Sequence, residues 1–223
     1  PVQFAVQAFP AMHSNAGRET GNQTFGVATA FDMYVIHNVP YSHPTEIEDF
    51  KGKKWSVDLR EWPWLPGGEF SLIKKIMAKN GEEKLEIIFN HSDYETRKPW
   101  MNEKKIKKFK YPCFHSNHAD GSIDLWYSSE NHGMFGTPKV IFSVGGHIYP
   151  YNDYDGKYGI THHAVGIPVS SKKEAGLICK ALSSNTFKRI VWATKWSNFE
   201  LEEKMFTYFK KDFYKIILEE ENG

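Results

Sequence analysis

Cysteine, net charge and long apolar runs are what this chain has least of. Its two cysteines, Cys113 and Cys179, stand far apart and share no Cys-x-x-Cys spacing. That excludes a disulfide framework and a cysteine-based zinc site, and it fits reduced thiols in a cytoplasmic protein. Lys and Arg number 28 against 27 Asp and Glu, for a net charge of +1. A whole-molecule field that would draw in nucleic acid is therefore missing, and any basic footprint has to be local. No apolar run approaches the roughly 20 residues needed to span a bilayer. The N-terminal PVQFAVQAFPAMH has no basic stretch ahead of an apolar one, so it does not read as a signal peptide. The sequence also has no internal repeat and no low-complexity tract.

Aromatic residues, by contrast, make up 15% of the chain. They serve large cores, and they also serve surfaces that stack on bases or sugars. With 223 residues and 40% hydrophobic content, the chain can form one large domain or two small ones. FAVQAF and residues 25–37 (FGVATAFDMYVIH) read as strands of a hairpin, with the polar loop 14–24 between them. Residues 42–68, rich in Pro and Gly, read as a connector with one short strand at Trp55–Leu59. Glu69–Lys79 reads as a helix stopped by Asn80-Gly81. Leu85–Phe89 is a short strand, Ser92–Lys98 is irregular, and Asn102–Phe109 opens as a helix. Strands at Cys113–His115 and Leu125–Tyr127 flank the turn HADGS. Strands at Lys139–Val144 and Gly159–Val169 flank NDYDGK. Lys172–Asn185 is an amphipathic helix, with Ala175, Ile178, Cys179 and Leu182 on one face, and Phe187–Ala193 continues it. The irregular alternation predicts an α+β fold with a mixed sheet and short helices, divided as 1–41, 42–68 and 69–223.

Candidate contact residues for a nucleic acid fall in four places. Lys139, Lys157, Tyr158, Thr161 and His162 sit on or beside the two strands after Pro138. Lys195, Trp196 and Asn198 form a polar-aromatic break after the long helix. Arg97 and Lys98 lie in the irregular stretch. Lys104, Lys105, Lys107, Lys108 and Lys110 face a single opposing Glu103. Lys and Thr suit phosphates, Asn and His suit base edges, and the planar fork of Arg97 can read guanine bidentately. No metal is expected. His115-x-x-His118 lacks the helix and acidic partner of a zinc protease, and His162 and His163 point to opposite faces of a strand. Glu82-Glu83-Lys84 has no upstream Asp to make a nuclease centre and reads as exposed charge. The strand 31–37 leads into Asn38-Val39-Pro40-Tyr41, close to the Asn-Pro-Pro-Tyr of amino-methyltransferases but with Val39 in place of a proline. It reads as a strand and a turn.

From Pro138 to Phe213 the order is PKVIFSVGGHIYPYNDYDGKYGITHHAVGIPV, then KKEAGLICKALSSNTFKRIVWATKW, then FTYFKKDF. It resembles the C-terminal specificity domain of TaqI-like adenine-N6 DNA methyltransferases and related restriction-modification enzymes. AMHSNAGRETGNQTFGVATAFDMYVI resembles the last hairpin of the methyltransferase domain in the same enzymes. The resemblance implies a TaqI-like specificity fold preceded by that hairpin. It also implies a module that chooses the target sequence on double-stranded DNA and does not transfer the methyl group. The catalytic methyltransferase domain or subunit, with its S-adenosylmethionine, would then lie upstream of Pro1, and this chain would hold neither cofactor nor catalytic residue. Two other readings stay open. One is a methyltransferase subunit with S-adenosylmethionine-dependent activity of its own. The other is a carbohydrate- or protein-binding module, suggested by the aromatics of Glu61-Trp62-Pro63-Trp64.

Overall fold

A computed structural model describes residues 45–49, 51–58, 61–90, 92–145, 148–194, 201 and 203–223. The hairpin expected within 1–41 and the candidate residues Lys195, Trp196 and Asn198 lie outside the described residues. The described chain is α+β, and it holds three sheets where a single mixed sheet was expected. It divides into two compact units. One comprises described residues 45–74 and 190–194, the other 75–189 and those from Leu201 onward.

In the smaller unit, β1 (Thr45–Glu48) pairs antiparallel with β2 (Lys54–Val57). Asp49 builds the turn between them. Its Oδ1 accepts the Lys51 and Lys53 N–H groups at 2.9 Å each, and its Oδ2 accepts the Trp55 indole N–H at 2.8 Å. Slight burial pushes the Asp49 carboxyl up, but these donors and the Lys51 charge bring it below its ordinary value. Ile47 and Val57 face a core that includes Trp62, Phe70, Leu72 and Ile73. Trp62 is 2% exposed and meets the Phe70 ring edge-on at 5.3 Å. The sugar-stacking surface expected around Glu61–Trp64 thus loses its first ring to the core.

The expected helix Glu69–Lys79 is shorter, running as α1 (Phe70–Ile76). In the larger unit, Met77 bridges Phe209 and the Ala78 N–H donates to the Tyr208 carbonyl at 2.8 Å. Tertiary pairing thus claims the backbone where helix propensity would have carried on. Asn80-Gly81 becomes a reverse turn, with Gly81 at φ +87°, instead of a helix cap. Leu85–Phe89 forms no strand; it is held by the Leu85 N–H on the Phe209 carbonyl at 2.8 Å and by the isolated bridge Ile88–Gly166.

Two sheets form the body of this unit. The first runs β3 (Met101–Asn102), β5 (Ile123–Ser128), β4 (Tyr111–Asn117), β8 (Gly159–Ile160). Its β4–β5 pair is antiparallel, and β8 lies parallel to β4. The β4–β5 register shifts between Phe114 and Ser116, leaving His115 as a bulge. The second sheet runs β7 (Tyr151–Asp153), β6 (Lys139–Ser143), β9 (Ala164–Pro168), antiparallel throughout. The strand expected over Gly159–Val169 is therefore two strands. The chain turns at Thr161–His163, and the halves join different sheets. The two sheets meet through Phe114, Ile141, Ile160 and Ala164. A Cβ on Gly166 would lie 2.6 Å from Ile160 Cδ1, so a larger residue there would push the Ile160 side chain aside.

Helix α2 (Lys172–Ser183) starts on a capping box. Ser171 Oγ accepts the Glu174 N–H at 3.1 Å, and Glu174 reaches back to the Ser170 N–H at 2.7 Å. Ala175, Ile178, Ala181 and Leu182 face inward, with Cys179 only half-buried. The expected continuous helix is interrupted at Ser184, and α3 (Asn185–Thr194) begins afresh. Glu221, on α4 (Phe213–Asn222), accepts the Thr186 N–H at 2.7 Å at the N-terminus of α3. A carboxylate there offsets the unpaired amides and the helix dipole. The 3-10 turn Glu203–Tyr208 sets the Phe206 ring 5.1 Å from that of Phe142.

Candidate nucleic-acid interface

The bulge in β4 organises the most chemically varied surface of the larger unit. His115 Nδ1 lies 3.1 Å from Thr161 Oγ1. Its ring stands edge-on to His163 at 4.7 Å and tilts over Trp126 at 5.9 Å. His162 lies 4.0 Å beyond, ring to ring with His163. Burial, then the neighbouring His163 and His162, hold the His115 imidazole down to about 4, so it is neutral at pH 7. Beside it, Asp124 accepts the Ser116 hydroxyl at 2.6 Å and lies 2.9 Å from His118 Nε2.

The irregular stretch 92–100 flanks this cluster and is firmly held. Tyr94 is fully buried; its hydroxyl donates to the Gly133 carbonyl at 3.1 Å and accepts the His132 N–H at 2.8 Å. Burial pushes its phenol up to about 12. The Trp100 indole donates to the Asp93 carbonyl at 2.7 Å. On this frame Arg97, 86% exposed, donates through Nε to Glu95 at 2.7 Å. Lys98 lies 3.8 Å from the same carboxylate. Arg97 leads in holding the Glu95 carboxyl below its ordinary value, and His162 contributes from the far side. Arg97, Lys98 and the histidines therefore share one electrostatic neighbourhood.

The lysine segment is not the helix expected over Asn102–Phe109. Asn102 Oδ1 accepts the Lys104 N–H at 2.8 Å, and the Phe109 N–H donates to the Ile106 carbonyl at 2.8 Å. This closes a tight turn with Lys107 and Lys108 at its tip. A helix needs an apolar stripe to bury, and this segment has only Ile106 and Phe109 among its lysines. Residues 103–108 are exposed, Ile106 by 51%. Among the described residues, none of Lys104, Lys105, Lys107, Lys108 and Lys110 has a carboxylate partner. The ammonium groups of Lys108 and Lys110 lie over the Phe109 and Tyr111 rings, at 5.6 and 5.0 Å.

Several residues expected to touch DNA are turned inward. Lys139 is fully buried, with Nζ 2.9 Å from Asp153 and donating to the Met134 and Thr137 carbonyls at 3.0 and 3.1 Å. Burial holds its ammonium below the ordinary value, against the pull of Asp153. All its donors are committed, so it cannot reach a phosphate. Thr161 is fully buried under His115. Tyr158 is half-buried against Tyr151 at 5.8 Å, its N–H on Asp153. Lys157 is exposed but paired with Asp155 at 3.0 Å. The sequence reading did not include Trp126, nor the pairing of His115 with Thr161. The turn HADGS placed Trp126 in a strand, but the bulge that groups it with His115 leaves no mark in residue spacing.

Among the described residues no set of His, Cys, Asp or Glu converges as metal ligands. Burial pushes the Cys113 and Cys179 thiols up to about 12 and about 11, so neither is a thiolate nucleophile at neutral pH. No helix of the described residues is long and apolar enough to cross a membrane. Comparison with protein-family models, with characterised proteins and with solved structures finds no match.

Proposed function

We propose that this chain reads sequence on double-stranded DNA, as the target-recognition part of an adenine-N6 methyltransferase or restriction-modification enzyme. The observation that carries the reading is the exposed lysine turn that leads directly into β4, whose lysines have no carboxylate partner among the described residues. It supplies the local basic footprint that the near-neutral total charge demanded. Tyr111 and His115 are four steps apart along the strand, about 13 Å, close to the roughly 12 Å width of a B-DNA major groove. Lysines on the backbone and a His–Trp–Arg group on base edges would thus be spaced for one groove. The partner methyltransferase domain and its S-adenosylmethionine follow from the resemblance of residues 138–213.

Fluorescence anisotropy with duplexes selected from a randomised library tests the reading. A selected site should bind at least roughly tenfold tighter than a scrambled one, and log affinity should fall with log salt with a slope near −4, about −0.9 per engaged phosphate. Binding that ignores salt between about 50 and 200 mM, or that treats all duplexes alike, overturns it.

A further inference from the structure

We propose that His115 donates a hydrogen bond to a purine N7 in the major groove, in a tautomer that Thr161 fixes. This rests on the reading of the chain as a DNA-recognition module. The argument is a proton count. The Thr161 hydroxyl is fully buried and has two polar neighbours, the His163 N–H at 3.4 Å and His115 Nδ1 at 3.1 Å. A backbone N–H can only donate, so Thr161 Oγ1 accepts from His163. The hydroxyl proton then has one acceptor in reach, His115 Nδ1, because the Thr161 side chain makes no other hydrogen bond among the described residues. A proton on Nδ1 would leave the Thr161 hydroxyl buried and unmatched, the arrangement native interiors avoid. Nδ1 is therefore the acceptor, and Nε2 carries the hydrogen.

Among the described residues Nε2 has no hydrogen-bond partner, and it is not a buried orphan, so the donor is open to solvent. The bulge aims the ring, while the His163 edge and the Trp126 face hold it. The charged and titratable groups that bear on the ring are His163, His162 and Asp124. The two imidazoles, with burial, keep it neutral across the physiological range. One fixed, neutral donor complements the N7 acceptor of a purine and opposes the amino group of cytosine. Thymine O4, beside its methyl group, is the competitor that the test separates.

Thr161 is then a positioning residue. Long-range nitrogen–proton NMR of the full chain reads the tautomer directly. Nε2–H is expected in the wild type and in Thr161→Ser, which keeps the hydroxyl, and a mixture in Thr161→Val. An Nδ1–H ring in the wild type overturns the proposal whether or not DNA is bound. The second measurement uses the library-selected duplex with each purine in turn replaced by its 7-deaza analogue. One position should cost roughly 5–30-fold in affinity. His115→Phe should bind that duplex and its deaza form equally. Thr161→Ser should keep the discrimination, and Thr161→Val should lose it and acquire a pH dependence between about pH 5 and 7. Sequence-specific binding in which no deaza position depends on His115 overturns this inference and leaves the module reading standing. Failure to bind any duplex overturns both.

Discussion

The two sheets of the larger unit use polar residues in opposite ways. Every residue of β6 is buried, and its one charged side chain, Lys139, is sealed in a pair with Asp153 whose side chains are 0% and 1% exposed. In β4 and β5 most residues are only half-buried, and both strands carry polar or aromatic groups to the surface. Neighbours explain the contrast. Strand β6 lies between β4 on one side and α2 on the other, and a strand covered on both faces can keep a polar group only by satisfying it internally. Strand β5 has no such double cover, so Trp126 and Asp124 remain available. In this fold polar and aromatic groups stay accessible on the sheet that packing leaves half-finished.

The harshest way to break that comparison is to open the closed sheet. Lys139→Met leaves the Asp153 carboxylate buried without its counter-charge. A loss of about 3–5 kcal/mol in urea unfolding is expected. Adding Asp153→Asn should recover part of it, because Asn still accepts one of the two backbone N–H bonds that now order the Lys157–Tyr158 turn. A single-variant loss below about 1 kcal/mol would mean that the pair is wetter than its burial implies.

The open sheet predicts a smaller, pH-dependent effect. His115 titrates near 4 when folded against 6.5 as its ordinary value. As pH falls, the unfolded chain takes up this proton first, so the stability contribution is complete above about pH 6.5 and is lost towards pH 4. Because the ring is only partly buried, the loss is on the order of 2 kcal/mol. His115→Phe should flatten urea midpoints across that window. The depressed carboxyls Glu95, Asp124 and Glu174 start from 3.8 or 4.5, so they act at lower pH and do not mimic it. An unchanged profile in His115→Phe would show that the half-open face does not desolvate the ring.

Next comes the turn that feeds β4. Replacing Lys104, Lys105, Lys107 and Lys108 together by Gln should make the salt dependence shallower by about 3 and weaken binding roughly tenfold near physiological salt. Because these side chains are exposed and have no carboxylate partner, the melting temperature should move by no more than about 2 °C. A steep drop in melting temperature would mean that the turn is part of the core after all.

How much of this was legible depended on the range of the interactions. The apolar run at Val140–Phe142, the HADGS turn before Leu125–Tyr127 and the face of Ala175, Ile178 and Leu182 announced their elements, because these signals are local. Four features escaped because distant residues decide them. Phe209 ends α1 by pairing with Met77, and β8 and β9 part company because β4 claims Gly159 and Ile160. The β4 bulge exists only relative to β5. Lys139 read as a phosphate ligand because lysine suits phosphates, and only Asp153, fourteen residues on, shows that it is core. Arg97 did prove exposed and Lys98 half-buried, on a polar segment whose one ring, Tyr94, anchors it in the core.

The gentlest prediction puts Lys157, at the rim of the closed sheet, against the lysine turn of the open one. Lys157 is 62% exposed and already paired with Asp155, which is 60% exposed, at 3.0 Å. That exposed partner, with Asp153 behind it, keeps the ammonium above its ordinary value. A phosphate would have to displace Asp155 to engage it, and the net charge of the pair is zero. Lys157→Gln should therefore change the salt slope by well under the ~0.9 expected for one lost phosphate contact, and it should leave the melting temperature within about 1 °C. Asp155→Asn sharpens the point. By freeing the ammonium it should steepen the salt slope if the duplex passes this rim, and leave it unchanged if the duplex follows β4 and β5. Steepening by a full unit would bring the turn after β7 into the DNA path and so remove the distinction between a closed sheet that stabilises and an open sheet proposed to read.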